Sequence, residues 1–288
     1  MKRIRTILSV ALAAGMVALA GCAKEQAAPG GEAAPGSKVN ISFMPASMSR
    51  MAIDNSGATS WPMSWQEGDT ISLFAMQHDG SGSSLDQAGL IDPDEVYVRN
   101  MKFTYTAGEW TSEEDIYYPD NGDALDFAAV FPYSAAYDDG LTIKIDARTD
   151  DFPVLVAIEK YSARVSDVEL YFFNPFSAMI EVRQDPAFTG TVTLNGIQTV
   201  AMELDMEAGS VDLTEAGPYA VEMFAVDGQP GVYRLFLPAG PLVSTYNSFP
   251  AGSQLVTFEA TGGATSHFVN TGDIDLEYSG DAYVIDVN

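Results

Sequence analysis

A single cysteine stands where a covalent modification is expected. Residues 1–21 open with three basic residues and continue with an apolar run too short to span a membrane comfortably. They end in Leu19-Ala20-Gly21-Cys22, small residues before a cysteine, which is the form of a lipobox. The sequence therefore predicts a lipoprotein signal peptide over residues 1–21 and lipidation of Cys22. An ordinary signal peptide that happens to precede a cysteine is the alternative.

The two histidines are the next candidates for chemistry. His78 falls in a stretch rich in glycine and serine, and His267 follows a Gly/Ser/Thr turn. Neither has the H-E-x-x-H spacing of a metal site, and the chain has no G-x-S-x-G nucleophile motif. We therefore expect both histidines to be solvated loop residues, and we expect no catalytic, cofactor-binding or metal site. The sequence favours a protein that is not an enzyme.

Carboxylates and tryptophans offer two weaker candidates. Asp120, Asp123 and Asp126 could supply oxygen ligands to Ca²⁺, but the spacing of an EF-hand loop is missing, so we expect a solvated acidic run. Trp65 and Trp110 each lie beside a predicted strand and are expected to close a core. Trp61, in Ser60-Trp61-Pro62, is expected to be exposed and could contribute to an aromatic platform for a sugar.

The composition limits the class of partner. The chain of 288 residues carries 14 basic and 40 acidic residues, a formal net charge of −26. Nucleic acid and anionic headgroups would repel such a surface. Because 47% of the residues are hydrophobic, the acidity is expected to decorate a folded protein. A single cysteine allows no internal disulfide, so burial of apolar side chains has to stabilise the fold.

The elements that would position these residues are strands. Phe103 and Tyr105 alternate with polar neighbours, as do Leu125 and Phe127, and glycine or proline turns close each run. The same period of two continues to Tyr283, Ile285 and Val287, and no long helical period competes outside the signal peptide. Many short strands at regular spacing predict an all-β protein of antiparallel β-sandwiches.

The organisation along the chain follows from composition and periodicity. We predict a signal peptide over residues 1–21, a flexible Ala/Gly/Pro tether over 22–37, an amino-terminal β-sandwich over 38–164 and a carboxy-terminal β-sandwich over 165–288. The first strand is expected at 38–43, with Val39, Ile41 and Phe43 on one face. Residues 44–64 are expected to be irregular.

Several motifs occur together over residues 65–133. They are W-x-x-G-D-x-I-x-L-F from Trp65, N-x-x-F from Asn100, G-x-W from Gly108, Tyr118-Pro119, and D-F-x-A-x-x-P-Y from Asp126. In this order and spacing the chain resembles the fimbrillin-like lipoproteins of Gram-negative anaerobes, the subunits of type V pili. The resemblance implies two tandem transthyretin-like β-sandwiches in a cell-surface lipoprotein.

The resemblance also implies a processing site and a mode of assembly. In polymerising members an arginine-specific protease removes the first strand, and a strand from a neighbouring subunit replaces it. Arg50 matches the arginine that precedes the W-x-x-G-D motif; an ordinary surface arginine in a loop is the alternative. Cleavage there would remove Val39, Ile41 and Phe43 and expose a hydrophobic groove.

These implications define the expected function. The chain would be a structural or adhesive fimbrial subunit that is held in the outer membrane by lipid. Its partners would be other fimbrial subunits, joined through β-strand addition. Host or bacterial surface molecules would be further ligands. Residues 283–287 could close the carboxy-terminal sandwich or serve as a donor strand. The closing role is favoured because Asn288 follows at once, and with it an anchor, tip or accessory position over a stalk. The alternative function is a surface glycan-binding lipoprotein that does not polymerise.

Overall fold

The fold is built from strands. The computed structural model describes residues 32–45, 47–52, 59–62, 64–80, 94–173, 176–240, 243, 247–276 and 281–287, with 47–52 and 59–62 described by their backbone. A 3₁₀ helix at Ala135–Asp138 interrupts the described strands. In chain order the strands are β1 Asn40–Met44, β2 Ser47–Ala52, β3 Thr59–Pro62, β4 Thr70–His78, β5 Val96–Thr106, β6 Glu109–Ser112, β7 Ala124–Phe131, β8 Thr142–Asp146, β9 Leu155–Glu159, β10 Asp167–Tyr171, β11 Ser177–Arg183, β12 Gly190–Ile197, β13 Ala201–Asp205, β14 Ser210–Thr214, β15 Tyr219–Glu222, β16 Phe224–Ala225, β17 Val232–Pro238, β18 Ser248–Phe249, β19 Gln254–Ala260, β20 Thr265–Val269, β21 Ile274–Asp275 and β22 Ala282–Asp286.

A five-stranded antiparallel sheet forms the centre of the amino-terminal half, in the order β6-β5-β4-β7-β9. All eight residues of β7 are buried, so both faces of this sheet are covered. One face lies against β1, β10 and residues 116–118, where Phe127 and Leu73 meet Val39 and Phe43 in one apolar cluster. The other face lies against the sheet β14-β13-β8, where Phe74 and Met76 meet Ile143 and Leu204.

The carboxy-terminal half is a sandwich of two sheets. One sheet has the order β16-β17-β11-β22-β2-β3, and the other has the order β15-β12-β19-β20. Ile180, Leu235 and Ile285 of the first sheet share a buried cluster with Leu194 and Phe258 of the second. This arrangement confirms the prediction of an all-β fold built on β-sandwiches.

Two segments differ from the structure that we predicted for them. Residues 47–52 and 59–62, expected to be irregular, form the hairpin of β2 and β3, and β2 runs parallel to β22 at the edge of the carboxy-terminal sheet. Residues 32–37, expected to belong to the tether, are bound to the folded body through backbone hydrogen bonds from Ala33 to Arg164 and from Gly36 to Tyr118.

The predicted domain boundary is spanned by contacts on both sides. β8, which precedes it, pairs with β13, which follows it, over five residues. β10, which also follows it, pairs with β1 and contributes Val168 and Leu170 to the amino-terminal cluster. The division at 164/165 into tandem domains stays a prediction. Within the described part of the chain, no helix is both long and apolar enough to cross a membrane.

Candidate functional site

Of the two residues predicted to be modified, only Arg50 lies in the part of the chain that the structure describes. Cys22 lies outside the described residues, so its lipidation stays a prediction. Arg50 lies in β2, where its backbone is paired with that of Thr59 in β3. The candidate cleavage site therefore lies within β2, between Arg50, the last residue paired with β3, and Met51, which is paired with Tyr283 of β22.

His78 is not a solvated loop residue, and that prediction was wrong. It is the last residue of β4, its side chain is 8% exposed, and its Nε2 lies 3.4 Å from Oδ1 of the fully buried Asp126. The Gly80 N–H donates to Nδ1 at 3.2 Å. The carboxylate of Asp126 raises the pKa of His78, against the opposing effect of burial. His267 is exposed, as expected, but it lies in the edge strand β20.

The three aspartates considered for Ca²⁺ do not form a site. Asp120 is exposed, Asp123 accepts hydrogen bonds from Gln77 and Asn121, and Asp126 is buried beside His78. Among the described residues no group of three His, Cys, Asp or Glu side chains is placed to hold a metal ion.

Trp65 and Trp110 pack against the amino-terminal core, which confirms their interpretation as core-closing residues. Their rings meet edge to face, with centroids 5.2 Å apart. The side chain of Trp61, on which the glycan-binding alternative depends, lies outside the described residues.

The most distinctive site is the slot that holds β1. On one edge β1 runs parallel to β10, from Asn40 opposite Asp167 to Met44 opposite Tyr171. On the other edge the start of the segment meets residues 116–118, where the Val39 N–H donates to Ile116 O at 2.9 Å and the Tyr118 N–H donates to Ser37 O at 3.0 Å. The segment 36–44 is therefore held by two parts of the chain that are distant in sequence, by β10 along β1 itself and by residues 116–118 just before it.

Three side chains of β1 and its start point into the slot. Val39 and Phe43 are each 4% exposed, and Ile41 is half-buried against the same cluster. Full burial of one such side chain contributes about 1.5–3 kcal/mol. The segment is thus part of the amino-terminal core, although it holds the first of the described strands.

An arginine fastens the residues that lead into the slot. Arg164 donates from Nε to Ala33 O at 2.8 Å, and its remaining nitrogens contact the Gly122 carbonyl and the Glu32 carboxylate. The Tyr118 hydroxyl, whose pKa is raised by burial, donates to Val165 O at 3.0 Å and so joins the two walls of the slot. Sequence reasoning missed this clamp, because Arg164 is 131 residues from Ala33.

Comparison with known proteins decides the family. The profile of the fimbrillin-like family matches residues 49–262, well over half of the chain. The chain belongs to the fimbrillin-like family. The family is one of fimbrial subunits. No curated protein matches the chain.

Two solved structures of similar fold come from Bacteroides. A proposed cell adhesion protein of Bacteroides uniformis aligns with a TM-score of 0.53 and 15% identity, over 85% of this chain and 93% of that one. A second, from Bacteroides ovatus, aligns with a TM-score of 0.50 and 12% identity, over 88% and 92%. At these identities the likeness concerns the fold alone.

The raised pKa of His78 predicts a pH-dependent contribution to stability. A histidine whose pKa is higher in the folded state stabilises the fold below its unfolded pKa of about 6.5, and this contribution disappears as the pH rises through the raised value. Urea unfolding over a series of pH values should show that wild type loses stability relative to His78→Gln as the pH rises. His267→Gln, a matched change at an exposed histidine, should keep the wild-type profile. Identical profiles for wild type and His78→Gln would contradict the ion pair.

Proposed function

We propose that this chain is a non-enzymatic, lipid-anchored structural or adhesive subunit of a fimbria at the outer membrane, joined to other subunits by β-strand addition. The observation that carries the proposal is the slot of β1. A strand from another subunit could take the place of β1, because the slot offers backbone partners on both edges and an apolar floor.

Removal of β1 would leave a surface that favours a replacement strand. The Tyr118 and Phe172 amides, which donate to Ser37 O and Met44 O, would lose their partners. The apolar side chains under Val39 and Phe43 would meet water. Both losses are unfavourable, and an added strand would reverse both.

Cleavage after Arg50 would break the covalent link between β1 and the rest of the fold, but it would not by itself release β1. The segment before Arg50 would stay bound through β10, through residues 116–118 and through the Arg164 clamp. Cleavage also has to reach a bond inside β2, between Arg50, which is paired with β3, and Met51, which is paired with β22. We therefore propose that processing requires β2 to leave these partners first.

Anchoring through Cys22 and opening of the slot exclude each other in one chain. Cys22 precedes Arg50, so a chain cut after Arg50 loses the covalent link between its lipid and its body. A subunit that stays anchored through Cys22 keeps β1 and a filled slot. This relation supports an anchor or accessory role for the uncut form.

The position of β22 favours an anchor, tip or accessory subunit over a stalk. β22 lies between β11 and β2, and Tyr283 and Ile285 belong to the buried carboxy-terminal cluster. To act as a donor strand, β22 would have to leave this core. Its place between β11 and β2 supports the closing role that we propose.

The lipid anchor has a direct test. Cys22→Ser should leave an unprocessed precursor, because lipid transfer and lipoprotein signal cleavage both require the thiol. Membrane fractionation and mass determination of the intact protein would show it. Cleavage at the normal place with unchanged membrane association would refute the lipobox interpretation.

The assembly role has a second test. The chain from residue 23 onward, treated with an arginine-specific protease, should yield a cut protein that forms no ladders on its own, because β22 stays in its sheet. Arg50→Lys is the matched uncut control. Ladders or filaments from the wild type, absent from Arg50→Lys, would contradict the accessory role and make this chain a stalk subunit.

A further inference from the structure

We infer that the slot is selective: it accepts a strand that runs parallel to β10 and carries, at alternate positions, two aliphatic residues and finally an aromatic residue. This inference rests on the proposed replacement of β1 and identifies the partner that can carry it out. β1 shows the pattern as Val39, Ile41 and Phe43.

The backbone of the slot determines the direction of the strand. Along β10 the pairing is parallel, and it is closed at its two ends by Asn40 N–H to Ser166 O and by Phe172 N–H to Met44 O. Residues 116–118 pair with the start of the segment in the antiparallel sense. Parallel and antiparallel ladders place their donors and acceptors differently, so a reversed strand would lose the hydrogen bonds on both edges.

A group of aromatic rings around Phe43, called the aromatic box here, determines the last of the three inward-facing residues of the strand. The Phe43 ring lies with its centroid 5.1 Å from that of Phe103, 5.2 Å from Trp110 and 6.2 Å from Phe172. Trp65 closes the box, with its ring 5.2 Å from Trp110 and 5.3 Å from Phe172. A smaller side chain would leave a cavity among rings that cannot collapse onto it.

The box also contacts the backbone of the strand. The Trp65 Nε1–H donates to Phe43 O at 2.9 Å. A shift of the strand by two residues would place another carbonyl at the same point, so this bond orients the backbone at position 43. The box then determines which side chain stands there.

The strand β22 does not fit this pattern. Its alternate residues run Tyr283, Ile285 and Val287, with the aromatic residue first. Docked parallel to β10, it would place valine in the aromatic box and tyrosine at the position of Val39. The preferred occupant is therefore a strand of a different subunit, with its aromatic residue last.

Peptide exchange tests this selectivity. The chain from residue 23 onward is cut after Arg50, and the cut segment that contains β1 stays bound. Fluorescent peptides then compete with that segment for the slot, all at the same low urea concentration. The peptides are residues 37–45, the same peptide with Phe43→Ala, the same peptide with Val39→Phe and Phe43→Val exchanged, and residues 281–288. The exchanged peptide is the matched control, because its composition is unchanged and only the order differs.

Anisotropy should show binding of the native peptide, with the Phe43→Ala peptide weaker by about 100-fold or more, as for truncation of a buried aromatic residue. The exchanged peptide and residues 281–288 should each be weaker by at least about tenfold. Equal binding of the native and exchanged peptides would overturn the selectivity and leave strand addition standing. Binding of no peptide at all would overturn strand addition, and the selectivity with it.

Discussion

The fold depends on covering both faces of the five-stranded amino-terminal sheet. Every residue of β7 is buried, so neither face tolerates water. One cover comes from β8, β13 and β14, and the other from β1, β10 and residues 116–118. The second cover is assembled from chain segments far apart in sequence, and one of them, β1, is the first of the described strands. A strand that completes the core yet precedes every other described strand is well suited to replacement.

The same requirement explains the buried polar residues. Asp126 lies in β7 on the face covered by β8 and β13, and it finds partners in the His78 ring and the Tyr161 N–H. A buried carboxylate needs such partners, because its desolvation would otherwise be unfavourable. The histidine and the aspartate thus belong to the architecture of the covered sheet.

The sequence predicted where strands lie better than it predicted which strands pair with or cover one another. The period of two located β5, β7 and the apolar face of β1, because alternation depends only on adjacent residues. It could not predict the burial of Asp126, since its partners, the His78 ring and the Tyr161 N–H, come from distant parts of the sequence. Nor could it pair β1 with β10, because Asn40 and Asp167 are 127 residues apart. The hairpin of β2 and β3 was missed because its Met, Ser and Pro composition is typical of irregular chain.

We infer that β1 is a separable cover of the amino-terminal sheet. Amide hydrogen exchange, measured before and after removal of the segment that ends at Arg50, would reveal whether it is. The Phe172 and Tyr118 amides, which donate to Met44 O and Ser37 O, should lose protection, while the Met223 amide, bonded to Val192 O in the other half, should keep it. Unchanged protection at Phe172 and Tyr118 would contradict the account.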